Sequence, residues 1–216
     1  MISVYNAPNG GIMPKKVIVL LADGFEEVEA ITPIDYLRRA GIEVTTASIS
    51  NEQRADGSQS AKGSHDIEIK TDTSIFELKK AGKFNCAGWD GVIVPGGLPG
   101  SDNLAASKET GEFLTEMAKA GKFVCAICAA PARVLSPLGI LANRKFTCFP
   151  GEEAKVLAPE SRSCGAEWKT DRVVIDGNII TSRGAGTAGE FACAVIGVLA
   201  GEEEGKKIAE RVLLKV

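Results

Sequence analysis

A chain of 216 residues is long enough to bury a sizeable core as one domain, and 44% apolar with 25% charged residues is ordinary globular composition, so disordered, collagen-like and fibrous readings fall away. The formal net charge is −3 with no run of five like charges, so the sequence lacks the basic patch that nucleic acid or an anionic membrane surface would select. No apolar run approaches the ~18 residues that span a bilayer, which leaves small molecules, or groups on other proteins, as the expected partners.

The opening segment MISVYNAPNGGIM has no basic n-region and no apolar h-region, so it does not read as a secretory signal. Residues 1–14 are expected to be a polar tail, with Met13 offering a second start, and residues 15–216 a single domain. Residues 16–21 (KVIVLL) form an apolar run ending at Ala22-Asp23-Gly24, as a buried parallel strand would. A helix follows over 26–40; Pro33 marks a start or break in it, because proline suits a first turn, and Gly41 stops it. Residues 42–48 (IEVTTAS) read as a strand, 49–63 as a polar surface loop and 65–70 as an edge strand or hairpin arm. A short helix over 73–81 and a small loop over 84–89 lead to a central strand at 91–95 (GVIVP), which runs into Gly96-Gly97. Residues 108–120 are an amphipathic helix closed by Gly121, 123–127 a strand and 130–138 a helix. Residues 146–149 and 173–176 read as strands, with Gly177-Asn178 as the hairpin turn into 179–182. Two helices, 189–200 and 203–214, close the chain.

This alternation implies an α/β fold, a mainly parallel sheet with helices on both faces. Ligands of such sheets bind beyond the carboxyl ends of the strands. Three strand ends carry unusual residues, at 23–29, at Gly96-Gly97 and at 128–131.

Val124-Cys125-Ala126-Ile127-Cys128-Ala129-Ala130-Pro131 sets Cys128 between a strand and a helix, with small residues at 126 and 130 where a nucleophile elbow needs them. The free N–H groups and dipole of a helix start favour thiolate over thiol, and Pro131 costs nothing in a first turn. Against this stands the ordinary role of a free cysteine as a small buried apolar filler. Cys125, three residues earlier, is expected on the opposite face of the strand and in that filler role, without redox pairing to Cys128.

Glu26, Glu27 and Glu29 crowd the first helix start. One of them turned inward beside the sulfur would be driven towards its protonated form by desolvation and like charge, and would then hydrogen-bond the sulfur or carry a proton. The residues themselves do not rank the three. Gly96-Gly97 offers unobstructed N–H groups for an oxyanion pocket beside that of Ala129, although a plain tight turn accounts for the glycines equally well. Thr181-Ser182-Arg183-Gly184-Ala185-Gly186-Thr187 is a second Gly-rich turn, offering a pocket wall or an anion site; it lacks the P-loop pattern.

The six cysteines are irregularly spaced in a chain with ample core, which argues for reduced thiols rather than a disulfide framework. With one histidine, His65, and one close cysteine pair, no metal site is expected. His65 belongs to the edge-strand pattern and is expected to be exposed, which speaks against a Cys-His-Asp protease.

The segments LLADGFEEVEAITPIDYLRRAGIEVTTAS, VIVPGG, AICAAPA and TSRGAGTAGEFA, in this order and spacing, resemble the ThiJ/PfpI superfamily from about residue 15 to 214. Within it they are most similar to the YajL-like and parkinsonism-associated deglycase branch. The resemblance implies a flavodoxin-like fold, a homodimer with the Arg38-Arg39 helix near its interface, Cys128 as the reactive group, Glu29 as its hydrogen-bonded glutamate, and the N–H groups of Gly97 and Ala129 around the sulfur. Gly96, Phe149, Arg183 and Gly184 would complete the pocket wall. One departure is that Phe149-Pro150 stands where the human branch has histidine-proline, which moves acid–base work onto Glu29. The activity implied is a cofactor-independent lyase or hydrolase of the glyoxalase III or protein deglycase kind, in the cytoplasm, acting on small dicarbonyls or glycated protein side chains. An oxidative-stress sensor or redox-regulated chaperone using the same cysteine is the alternative, and an intracellular cysteine protease fits less well.

Overall fold

The computed structural model describes residues 14–50 and 56–215. The tail assigned to 1–14 therefore lies, save for Pro14, outside the described residues, as does the stretch 51–55 of the expected loop. In chain order the strands are β1 (Lys16–Leu21), β2 (Glu43–Ser48), β3 (Ser60–Lys62), β4 (Glu68–Lys70), β5 (Thr73–Ser74), β6 (Gly91–Val94), β7 (Phe123–Ile127), β8 (Lys145–Phe146), β9 (Glu167–Trp168), β10 (Val173–Asp176) and β11 (Ile179–Ser182). The helices are α1 (Glu27–Arg39), α2 (Ile75–Lys80), α3 (Gly100–Ala106), α4 (Lys108–Lys119), α5 (Glu153–Leu157), α6 (Ala188–Ala200) and α7 (Glu202–Arg211).

Among the described residues, seven strands form one sheet in the order β10-β11-β7-β6-β1-β2-β5. Its pairings are parallel except for the β10–β11 hairpin. Alternation along the central strands fills two cores. Ile18, Leu20, Val92, Val94, Val124 and Ala126 face α3, α4 and the segment after β7. Val17, Val19, Leu21, Ile93, Cys125 and Ile127 face α1, α6 and α7. A sheet buried on both faces requires the near-continuous apolar runs seen in these strands. Because β11, β7, β6 and β1 are parallel neighbours, their carboxyl ends lie side by side, and the unusual residues after each converge there.

Four expectations are corrected. Pro33 neither starts nor breaks α1; the helix runs through it and Pro33 is buried in the core-facing stripe with Glu29, Ala30, Ile34 and Leu37, so packing outweighs the lost donor. The expected loop over 49–63 ends in a strand, β3, which pairs antiparallel with β4 through Ala61 and Ile69. Residues 146–149 do not enter the main sheet, since β8 is short and pairs with β9. Helix α3 was not expected at all; its sequence GSDNLAA carries only Leu104 as a large apolar residue, too little for a periodic signal. Among the described residues no helix is long and apolar enough to cross a membrane.

Candidate active site

Strand β7 stops at Ile127, and Cys128 turns the chain with a φ of 65°. The left-handed region costs a residue with a side chain about 1 kcal/mol, so something must hold it there. Two hydrogen bonds do: the Cys128 N–H donates to the Ser182 carbonyl at 2.9 Å, and its carbonyl accepts from the Phe149 N–H at 2.8 Å. The α-helix expected over 130–138 is instead a π turn, Pro131–Leu135, followed by a 3-10 turn, Ser136–Leu138. Pro131 opens the turn at no cost, but Pro137 lacks the N–H that an α-helical ladder would direct to residue 133, so the segment closes as a 3-10 turn instead of a regular α-helix.

Cys125 and Cys128 do not point to opposite faces. Cys125 is fully buried in the core beneath α1 and α6, and the left-handed turn swings Cys128 back to the margin of that same core. Both are free thiols.

Glu29 sits in the first turn of α1 at the head of its core-facing stripe, and is 1% exposed. Its Oε2 accepts the Gly96 N–H at 2.9 Å, and its side chain is hydrogen-bonded to Cys128. Burial pushes the carboxyl up to about 7, against the hydrogen bonds from Cys128 and Gly96, and the charge of Glu26 adds to the rise. Burial likewise pushes the Cys128 thiol up; the charge of Glu29 and its hydrogen bond add to this, while the N–H groups of Ala129 and Gly97 pull it down. The direction is opposite to that expected of a helix start. One short π turn offers little dipole, and the sulfur lies largely out of water beside a carboxyl. Burial thus favours the protonated form of both groups, with the carboxyl pushed to about 7.

Gly96 is needed for this pair to meet. A Cβ there would lie 2.6 Å from both the Cys128 Cβ and the Glu29 Oε2. Gly97, at a φ of 89°, passes so close to Gly24 and Glu26 that a Cβ would collide with the Glu26 backbone N. The Glu26 N–H in turn donates to the Gly96 carbonyl at 3.0 Å, locking the β6 end to the start of α1. Gly184 faces the pair, because a Cβ there would lie 3.9 Å from the Glu29 Oε1 and 3.5 Å from the Phe149 ring. Phe149 is half exposed and forms the outer wall. Arg183 lies beside them in sequence, but its guanidinium turns to the Thr170 carbonyl at 2.9 Å. Thr187, the last residue of that Gly-rich turn, ties it together: its hydroxyl donates to the Gly184 carbonyl at 2.8 Å and lies 2.6 Å from the Ser182 hydroxyl.

His65 is exposed, in the turn between β3 and β4 rather than in the edge strand expected over 65–70, and its ring meets the Glu27 carboxylate at 3.0 Å. Glu27 also accepts the His65 N–H at 2.7 Å, so it staples the turn after β3 to α1 and faces away from the chemistry. Among the described residues, Glu26, Glu27 and His65 are the only side chains grouped closely enough to hold a metal ion, and Glu27 already spends its oxygens on that turn.

The model described as the DJ-1/PfpI family matches residues 15–197. Protein dj-1beta of Drosophila melanogaster is 37% identical over 203 residues, covering 94% of this chain and 98% of its own. A Caenorhabditis elegans relative named glutathione-independent glyoxalase DJR-1.2 is 34% identical over 198 residues, covering 92% of this chain and 95% of its own. Among solved structures, Drosophila melanogaster DJ-1beta superposes with a TM-score of 0.81 at 36% identity, covering 94% of this chain and all of the other. Oxidized Toxoplasma gondii DJ-1 gives 0.81 at 32% identity, with the same coverage. This chain belongs to the DJ-1/PfpI family.

Proposed function

We propose that the protein is a cofactor-independent glyoxalase that converts a small 2-oxoaldehyde such as methylglyoxal to its 2-hydroxy acid, with deglycation of protein adducts as the same chemistry on a larger substrate. The observation that carries this is a partly buried thiol hydrogen-bonded to a buried carboxyl with a pKa of about 7, with the N–H groups of Gly97 and Ala129 at the sulfur. A base that titrates near the working pH is the efficient one. The Glu29 carboxylate takes the Cys128 proton as sulfur adds to the aldehyde carbon, so no standing thiolate is required. The new oxyanion is met by backbone N–H groups and takes that proton from Glu29, which gives a hemithioacetal and restores the carboxylate. Glu29 then removes the proton from that carbon and, through an enediol, returns it to the neighbouring carbon, which leaves a thioester. Water cleaves the thioester to the hydroxy acid and restores the thiol. The C. elegans relative's name supports the same reaction class.

Lactate formation from methylglyoxal tests the reading. Cys128→Ala is expected to abolish it and Cys125→Ala to keep most of it; equal loss in both refutes it.

A second reading, oxidation sensing, draws on the same N–H groups, which suit a sulfinate on Cys128 with protonated Glu29 as a further donor. Mild peroxide adding two oxygens at Cys128, in a protein without dicarbonyl turnover, would favour it. We further propose a cytoplasmic homodimer. All six cysteines are free, which suits a reducing compartment, and α1 leaves Val28 and Ile31 exposed as an apolar face for a second copy. Light scattering reads the mass directly.

A further inference from the structure

We infer that Arg133 is a positioning residue for the thiol, acting by clamping together the three segments that surround it. Arg133 lies in the π turn directly after Cys128, and its N–H donates to the Ala129 carbonyl at 2.9 Å. Its Nε and Nη2 donate side-on to the two carboxylate oxygens of Glu152, both at 2.9 Å. Its Nη1 donates to both oxygens of Asp102, at 2.9 and 3.1 Å. One planar guanidinium therefore satisfies two carboxylates from two other parts of the chain, a geometry that a lysine ammonium cannot copy.

Each partner sits on a segment that supplies part of the site. Asp102 is in α3, which follows the loop carrying Gly97; the Ser101 N–H donates to the Gly97 carbonyl at 2.9 Å. The Glu152 N–H donates to the Phe149 carbonyl at 3.0 Å, and the Phe149 N–H donates to the Cys128 carbonyl at 2.8 Å. The Gly97 donor, the elbow and the Phe149 wall thus meet at one side chain. The Arg133–Glu152 pair is sheltered, with side chains 21% and 14% exposed, so solvent screens it less than a surface pair. The Arg133 hydrogen bonds hold the Glu152 carboxyl below the ordinary carboxylate range.

The inference rests on Cys128 being the reactive group of the proposed function. Its test therefore reads Cys128 alkylation by iodoacetamide against pH, resolved by peptide mass, separately from lactate formation. A wild type that alkylates Cys128 without turning over methylglyoxal refutes the proposed function and still tests the clamp. Arg133→Met is expected to slow Cys128 alkylation about tenfold and to move its pH–rate curve to higher pH, because loosened segments no longer aim the Gly97 and Ala129 N–H groups at sulfur. Glu152→Gln keeps the shape and separates positioning from charge. Removing a negative charge alone would move the curve to lower pH, whereas loosening the clamp moves it higher and slows the reaction about threefold. Alkylation within twofold of wild type and an unmoved curve in Arg133→Met overturn the inference. So does a shift to lower pH, or none, in Glu152→Gln, and so does a fall in Tm of either variant with Cys128 reactivity unchanged.

Discussion

Replacing Glu29 by Gln makes stability report the buried carboxyl directly. The side chain is 1% exposed, and burial raises its pKa from near 4.5 to about 7. A carboxyl whose folded pKa is raised favours folding in its neutral form. Its contribution is fully present below the unfolded value near 4.5 and is lost as pH rises through about 7. At about 1.4 kcal/mol per pH unit, the interval from 4.5 to 7 comes to roughly 3 kcal/mol lost between pH 4 and pH 8. Glutamine has the same shape, accepts the Gly96 N–H and donates to the sulfur, but does not titrate. In urea unfolding, Glu29→Gln should match wild type to within about 1 kcal/mol at pH 5. By pH 8 it should exceed wild type by roughly 2–3 kcal/mol, and groups that titrate identically in both proteins cancel from the difference. A difference that stays flat across this range, or one that shrinks as pH rises, refutes the assignment of a buried, near-neutral carboxyl.

The strained turn makes a second prediction. Because Cys128 has a φ of 65°, Cys128→Gly should be more stable than Cys128→Ala by about 1 kcal/mol in urea, whereas at an unstrained position glycine would be the weaker variant. Gly96→Ala inserts a Cβ 2.6 Å from both members of the pair, so Cys128 alkylation should lose its dependence on Glu29, as read by adding Glu29→Gln to that background. Thr187→Val removes the hydroxyl that binds Gly184 and Ser182 and should cost about 1–3 kcal/mol of stability, while Thr187→Ser should recover most of it.

The strand ends were legible because each carries a local signature: an apolar run that stops at glycine, or at a cysteine flanked by alanines. Hence the parallel sheet, the site at its carboxyl edge and the elbow at Cys128 all follow from spacing. Glu29 was not separable from Glu27 in the same way. Both lie on inward-facing positions of α1, and what distinguishes them is non-local: the turn at 63–67 covers Glu27, and Gly96 covers Glu29. The raised carboxyl was expected, but the direction of the thiol was misjudged, since a helix-start argument needs the length of the helix, and here it is only a short turn. Arg133 escaped notice because its partners at 102 and 152 stand far away in sequence, and a lone arginine in the apolar run 129–135 carries no local sign of what it binds.

The pH profile of kcat/KM for methylglyoxal conversion bears most directly on the pairing of Cys128 with Glu29. The account predicts a rise through a midpoint near 7 in the wild type, following ionisation of the carboxyl. In Glu29→Gln that inflection should vanish and the rate should fall by at least about a hundredfold, the scale of general-base catalysis. A profile that is unchanged in the variant, or turnover that persists there at the wild-type rate, would contradict it.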